Sequence, residues 1–157
     1  MASPTAGEKT THLHFYMHDA YGGENPTAMK IVSGPTTDGP GPRHFGDVVA
    51  FDNKVTAGPD AAASALVGRA QGFAVRTSAG GKVSELNMTV VMEEGEYRGS
   101  SVTILGRVDL SLPVREIPVV GGTGQFRLAR GYAFTQSSDY DLATGGTVEI
   151  DVHLVHN

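Results

Sequence analysis

The chain has 157 residues, of which 39% are hydrophobic, 18% charged and 21 glycine, with a formal net charge of −5 and no cysteine. That length suits one domain with a real core, and the glycine content and low charge speak against long helices or a coiled coil. The acidic balance, with no lysine or arginine run, leaves no electrostatic footprint for nucleic acid; missing cysteines exclude disulfides and thiolate metal sites; no apolar run approaches the ~20 residues of a membrane helix.

Residues 1–10 read as a disordered lead-in, polar and without the apolar segment of a secretory signal. His12 to Tyr21 alternates with period two, which predicts a strand. Leu13, Phe15 and Met17 share one face, and His12, His14, Tyr16 and His18 the other; Asp19 continues the apolar parity. Glycines 22–23 and Asn25-Pro26 mark a turn, and Ala28 to Ser33 a short second strand. Gly34 to His44, rich in proline and glycine, is a candidate lid, rim or linker.

Gly46 to Thr56 and Leu66 to Thr77 are the next strands, with Gly68 and Gly72 suggesting bulges in the latter. Between them lies the Gly58 to Ala65 loop, and after them a turn at Ser78 to Gly81. Val83 to Met92 and Tyr97 to Val108 follow, joined by an acidic turn. Arg115 to Phe134 reads as strand, tight turn at Gly121, Gly122 and Gly124, then strand. Ser137 to Gly146 reads as a loop, and Thr147 to His156 as the closing strand. Short strands and hairpin turns without a long amphipathic helix predict an all-β antiparallel barrel or sandwich, in one domain over residues 11–157. Periodicity leaves both architectures open.

The stretch REIPVVGGTGQFRLARGYAF closely resembles the signature of the plant dirigent family. Four further blocks match in the same order: HFYMHD at His14 to Asp19, HFGDVVAFDNKVTAGPD at His44 to Asp60, VGRAQGFAV at Val67 to Val75, and EYRGSSVTILGR at Glu96 to Arg107. The resemblance implies a barrel of about eight strands related to allene oxide cyclases, assembled as a homotrimer. It implies no cofactor and no oxidising centre: an external laccase or peroxidase would supply phenoxy radicals from a small phenolic substrate. It also implies secretion to the apoplast or cell wall, the chain then being a mature form; a cytoplasmic location is the alternative. The sequon at Asn87 fits secretion.

Three residues are candidates for chemistry. Asp19 either points into the barrel, where a carboxyl withdrawn from water suits general acid work, or merely starts a turn. It matches the pocket Asp of the family. Arg115 stands where the family places a pocket arginine, able to hold a phenolate or quinone-methide oxygen; otherwise it is a solvated strand end near Glu116. A second pocket Asp of lignan-forming members falls on Asp109 or, one residue earlier, on Val108. Asp109 has the wrong parity relative to Val102 and Ile104 and faces outward unless a bulge intervenes. Val108 there would resemble the branch described as pterocarpan synthases, which closes an isoflavonoid ring by dehydration. Phe15, Met17, Val75 and Val108 are the expected substrate contacts. After Gly72 the chain carries Phe73, Ala74, Val75 and Arg76 where lignan-forming members have tyrosines, which puts a lignan-type substrate in doubt; Tyr21 or Tyr132 could take over.

Other chemistries find little here. His12, His14 and His18 share a face, but no third-ligand pattern completes a metal site. The GGTG turn lacks the Lys-Ser/Thr and helix of a phosphate loop. No G-x-S-x-G elbow occurs. Two functional classes stand: a pocket that guides or catalyses phenolic coupling or cyclisation, and a barrel that only binds a small ligand or carbohydrate, for instance in defence.

Overall fold

The computed structural model describes residues 5–35 and 38–157. Among these residues nine strands form: β1 (Lys9–Ala20), β2 (Ala28–Val32), β3 (Val48–Thr56), β4 (Leu66–Arg76), β5 (Val83–Met92), β6 (Ser101–Asp109), β7 (Arg115–Thr123), β8 (Arg130–Asp141) and β9 (Gly145–His156). They pair antiparallel in the order β1-β9-β8-β7-β6-β5-β4-β3-β2, and β1 also pairs with β3. That pairing closes an eight-stranded barrel. The far end of β3, Val48 to Phe51, instead carries β2 as an outer flap. Closure settles what periodicity left open, because it leaves the ring without an edge.

Alternation decides which residues enter the barrel. On the β1–β9 ladder Leu13 faces Val152, Phe15 faces Ile150, Met17 faces Val148 and Asp19 faces Gly146. Across β4, β5 and β6, Ala70, Val90 and Val102 line up inward, as do Met88 and Ile104 one pair further on. Apolar side chains fill one end of the cylinder: Phe15, Val55, Val90, Val102, Ile104 and Leu154 are almost wholly shielded from water. Burying such side chains favours folding by ~1.5–3 kcal/mol each.

The glycine-rich signature differs from the expected tight turn. Gly121 and Gly122 stay within β7, where a bulge shifts the register against Thr103 and Ile104. The reversal comes later, through a short 3-10 turn at Gly124–Phe126 and Leu128, whose φ of 63° is left-handed. The longer route swings Phe126 into the barrel end, fully buried against Tyr97 with ring centroids 4.8 Å apart. Phe126 thus plugs that end, and the cavity opens at the other.

Other expectations differ as well. β1 begins at Lys9, before the end of the expected lead-in, and Arg130 pairs with Glu8 at 2.7 Å just ahead of it. Residues 1–4 of that lead-in lie outside the described residues. β8 runs on to Asp141 through a register shift between Ser138 and Asp141 and β9 starts at Gly145, so only residues 142–144 of the expected 137–146 loop lie outside strands. Gly72 makes no bulge: it lets β5 approach, since a Cβ there would sit 1.9 Å from the Asn87 carbonyl oxygen. Of the candidate lid, residues 36–37 lie outside the described residues. The remainder is tied down by Asp38, which accepts the amides of Phe45 at 2.7 Å and Gly80 at 2.9 Å.

Candidate active site

The open half of the barrel holds a cavity of about 100 Å³, measured as the space open to water centres. A water needs ~10–15 Å³ by that measure, so the space admits several waters or part of a phenolic ring system. Met17, Phe51, Leu86, Met88, Ile117 and Val148 supply apolar walls. Polar groups gather toward the mouth, and strand parity places nearly all of them.

Asp19, at the end of β1, lines this cavity. Its partner across the ladder is Gly146, which has no side chain to cover it. Two donors hold the carboxylate: Asn53 Nδ2 at 2.9 Å and the Tyr140 hydroxyl at 2.5 Å. Tyr140 is the residue the sequence reading missed. Burial, reinforced by the negative charge of Asp19, raises its pKa far above the ordinary 10, so the phenol keeps its proton and donates it to Asp19. Asn53 Oδ1 is buried without a partner and stands ready for a donor from a bound molecule.

Arg115 opens β7 and also lines the cavity. Its Nη2 donates to Ser137 Oγ at 2.8 Å, and its Nε is buried without an acceptor. Burial pulls its pKa below the usual arginine value. Two more arginines, neither singled out from the sequence, reach the same space. Arg76, the last residue of β4, donates to Ser84 Oγ at 2.9 Å and to the Tyr21 hydroxyl at 3.0 Å. Arg43 comes from the loop before β3, with its guanidinium carbon 5.9 Å from the Tyr21 ring centre. Tyr21 therefore reaches the cavity, whereas Tyr132 lies on the outside of the barrel against His153.

The remaining candidates divide. Met17 and Val108 line the cavity. Phe15 points inward too, but lower, within the packed end. Val75 pairs with Val48 and Glu85 on the outer face, and Ala74 and Arg76 take the inward positions. The expected contact at Val75 is thus corrected by parity: without a bulge at Gly72, odd-numbered residues of β4 face out. Asp109 lies outside the cavity as well. No bulge rescues its parity, and it accepts the amide and hydroxyl of Ser111, at 2.9 and 2.6 Å, which hold its carboxyl below the ordinary range. Val108, one residue earlier, takes the inward place opposite Ser84. Asn87 lies mid-strand on the outer face, half-buried between Phe73 and Leu105.

On the outer face of β1 the histidines do find acidic neighbours, which the sequence reading did not supply. His12 pairs with Asp151 and His14 with Glu149, both at 2.8 Å, and His14, Glu149 and Asp151 lie close enough to share one ion. These groups are spent on one another.

Comparison with known proteins agrees with this geometry. The family model described as "Dirigent-like protein" matches residues 10–155. Pterocarpan synthase 1 of Glycyrrhiza echinata is 43% identical over 151 residues, 95% of this chain and 79% of that protein. Dirigent protein 21 of Arabidopsis thaliana is 37% identical over 150 residues, 95% of this chain and 78% of that protein. The solved structure of the pterocarpan synthase dirigent protein GePTS1 superposes with a TM-score of 0.87 at 40% identity, covering 99% of this chain and 89% of that one. The chain belongs to the dirigent family.

Proposed function

We propose that this barrel binds phenylpropanoid- or isoflavonoid-derived phenolics as radicals or quinone methides and imposes one geometry on their coupling or cyclisation. The observation that carries this reading is the Asp19–Tyr140 pair, joined at 2.5 Å at the wall of a cavity that also holds Arg115. An apolar pocket supplies orientation, which replaces random encounter with a fixed approach of the reacting atoms. The proton-bearing pair and the guanidinium supply polar help where charge develops.

In the cyclising version, a benzylic hydroxyl takes a proton from Asp19 in its acid form, while Tyr140 keeps its own proton and hydrogen-bonds the carboxylate left behind. Its C–O bond breaks and it leaves as water. The substrate's ring oxygen, entering as a phenolate held by Arg115, becomes the carbonyl oxygen of the resulting quinone methide. A second phenol oxygen of the same molecule then attacks the vacated carbon and gives its proton to Asp19, while the quinone-methide oxygen returns to a phenolate, so the net change is loss of one water. In the coupling version, an external laccase or peroxidase makes the radicals and the cavity holds two of them in register. Val108 at the inward position, rather than a second aspartate, favours the cyclising version. So does the likeness to proteins named pterocarpan synthases.

Two further parts belong to this proposal: assembly as a homotrimer and work outside the cell. The trimer is supported by an apolar outer surface. Tyr132 stacks on His153 on the outside of β8 and β9, Phe134 meets both edge-on, and Phe134 stays 37% exposed. Two incubations test the function: coniferyl alcohol with a laccase, and a 2′-hydroxy-isoflavan-4-ol alone. The expected result is enantiomeric excess in the first or conversion to pterocarpan in the second. Racemic coupling together with unchanged isoflavanol would leave only a binding barrel.

A further inference from the structure

Arg43, Arg76 and Arg115 are each 5–6% exposed, and all line the cavity. The same lining contains a single carboxylate, Asp19, already held by the neutral donors Asn53 and Tyr140. Among the described residues none of the three guanidiniums lies within ion-pair distance of a carboxylate. Their recorded partners are hydroxyls and one carbonyl: Ser137 for Arg115, Ser84 and Tyr21 for Arg76, and Leu142 and Tyr140, at a long 3.4 and 3.5 Å, for Arg43. Arg76 and Arg115 each also bury an Nε without an acceptor. A guanidinium carries five N–H donors, so most of this donor capacity is unspent. Buried cations without counter-charge are costly, and three in one cavity also repel one another. The lining is short of negative charge by two.

The arginines are not interchangeable in position. Arg115 is on β7 and Arg76 on β4, three strands apart around a ring of eight, so they stand on nearly opposite walls. Arg43 and Arg76, with Tyr21, also line a second recess outside the cavity, shared with Lys30 and Asp47. They therefore form the gate between that recess and the interior. A ligand whose phenolic end reaches Arg115 presents its other end at this gate, beside the Asp19–Tyr140 pair.

We propose that the pocket prefers phenolic substrates that carry a permanent carboxylate, which docks on Arg43 and Arg76 while the phenolic oxygen faces Arg115. A neutral phenolic alcohol could occupy the cavity but would leave the gate uncompensated. A carboxylate suits a guanidinium because two N–H groups of the fork reach both oxygens at once. The inference rests on the phenolic-pocket reading above and adds the charge of the substrate to it.

The test compares two probes that differ in one group, 4-hydroxy-3-methoxycinnamate and the corresponding cinnamyl alcohol, by titration calorimetry at neutral pH and low salt. The acid is expected to bind at least about tenfold more tightly, as a charge-assisted pair worth ~1.5–3 kcal/mol predicts. Arg76→Gln and, separately, Arg43→Gln should shrink the acid-to-alcohol ratio to within about twofold. Circular dichroism melting of each variant establishes that it is folded, and Arg76→Lys, which keeps the charge, should restore part of the ratio. Equal affinity for the two probes in the unaltered protein overturns the phenolic-acid inference and leaves the phenolic pocket standing. So does an unchanged ratio in both folded glutamine variants. Failure of both probes to bind overturns the pocket reading, and this inference with it.

Discussion

Asp19 owes its position to strand parity and its character to two neighbours from other parts of the chain. Tyr140 is the more telling of the two, because its buried hydroxyl donates its proton directly to the carboxylate. Tyr140→Phe removes that donor while keeping the ring in its buried place. Turnover of the cyclising substrate is expected to fall about 10²-fold or more, with a melting temperature close to the parent. Asp19→Asn should fall at least as far, and stereoselectivity that survives in it would take Asp19 out of the site. Asp109 offers the contrast. It caps the Ser111 turn outside the cavity, so Asp109→Asn should leave product ratios unchanged in chiral chromatography. The sequence made Asp109 and Val108 rival candidates because one residue of slippage exchanges the two faces of a strand.

Elements matter here through close approach and through loop anchoring. Gly72 allows β4 and β5 to meet, since a Cβ would sit 1.9 Å from the Asn87 carbonyl oxygen and 2.9 Å from its carbon. Backbone atoms in a paired strand cannot swing aside, so Gly72→Ala is expected to cost at least ~1–3 kcal/mol in chemical denaturation. The loop that brings Arg43 to the mouth depends on acids. The amides of Phe45 and Gly80, with the His44 ring, draw the Asp38 pKa down from 3.8 to about 2. A carboxyl with a lowered folded pKa contributes stability above its unfolded value, and that contribution is lost as pH falls through the folded value. Hydrogen-exchange protection of the Phe45 and Gly80 amides should therefore fade between pH 3.8 and about 2. Protection that is flat across that window would rule out Asp38 as the anchor.

At the scale of the whole molecule, the barrel is packed at one end and hollow at the other. Ile104 lies in the packed end with no exposure, and Ile104→Ala should destabilise by ~2–5 kcal/mol without changing which product forms. The outside carries its own message. Phe134 and Tyr132 present aromatic surface on β8, while His12, His14, Glu149 and Asp151 spread charge over β1 and β9. The proposed trimer predicts a light-scattering mass near three chains and a shift toward the monomer in Phe134→Glu. A monomeric parent protein at micromolar concentration would refute the assembly while leaving the cavity untouched.

Local patterning was enough to place most strands, because period-two alternation and glycine-marked turns are properties of the residues themselves. It put Met17 on the inward face and left Asp19 between that face and the start of a turn, and the ordered family blocks selected the barrel over the sandwich. Tyr140 stayed hidden because Ser137 to Gly146 is polar and glycine-bearing, so nothing local distinguishes a strand extended through a register shift from a loop. Arg43 and Arg76 stayed hidden for a different reason: a buried arginine looks like a solvated one until the neighbours that shield it are known. Val75 was misplaced because Gly72 could signal either a bulge or a close approach, and only β5 lying against it decides between them. The amino-acid order alone determined the alternation that builds the wall. Closure of the ring, by pairing β1 with β3, decided which wall residues meet across the cavity, because side chains from β1, β4, β7 and β8 become neighbours only once the sheet has curved back on itself.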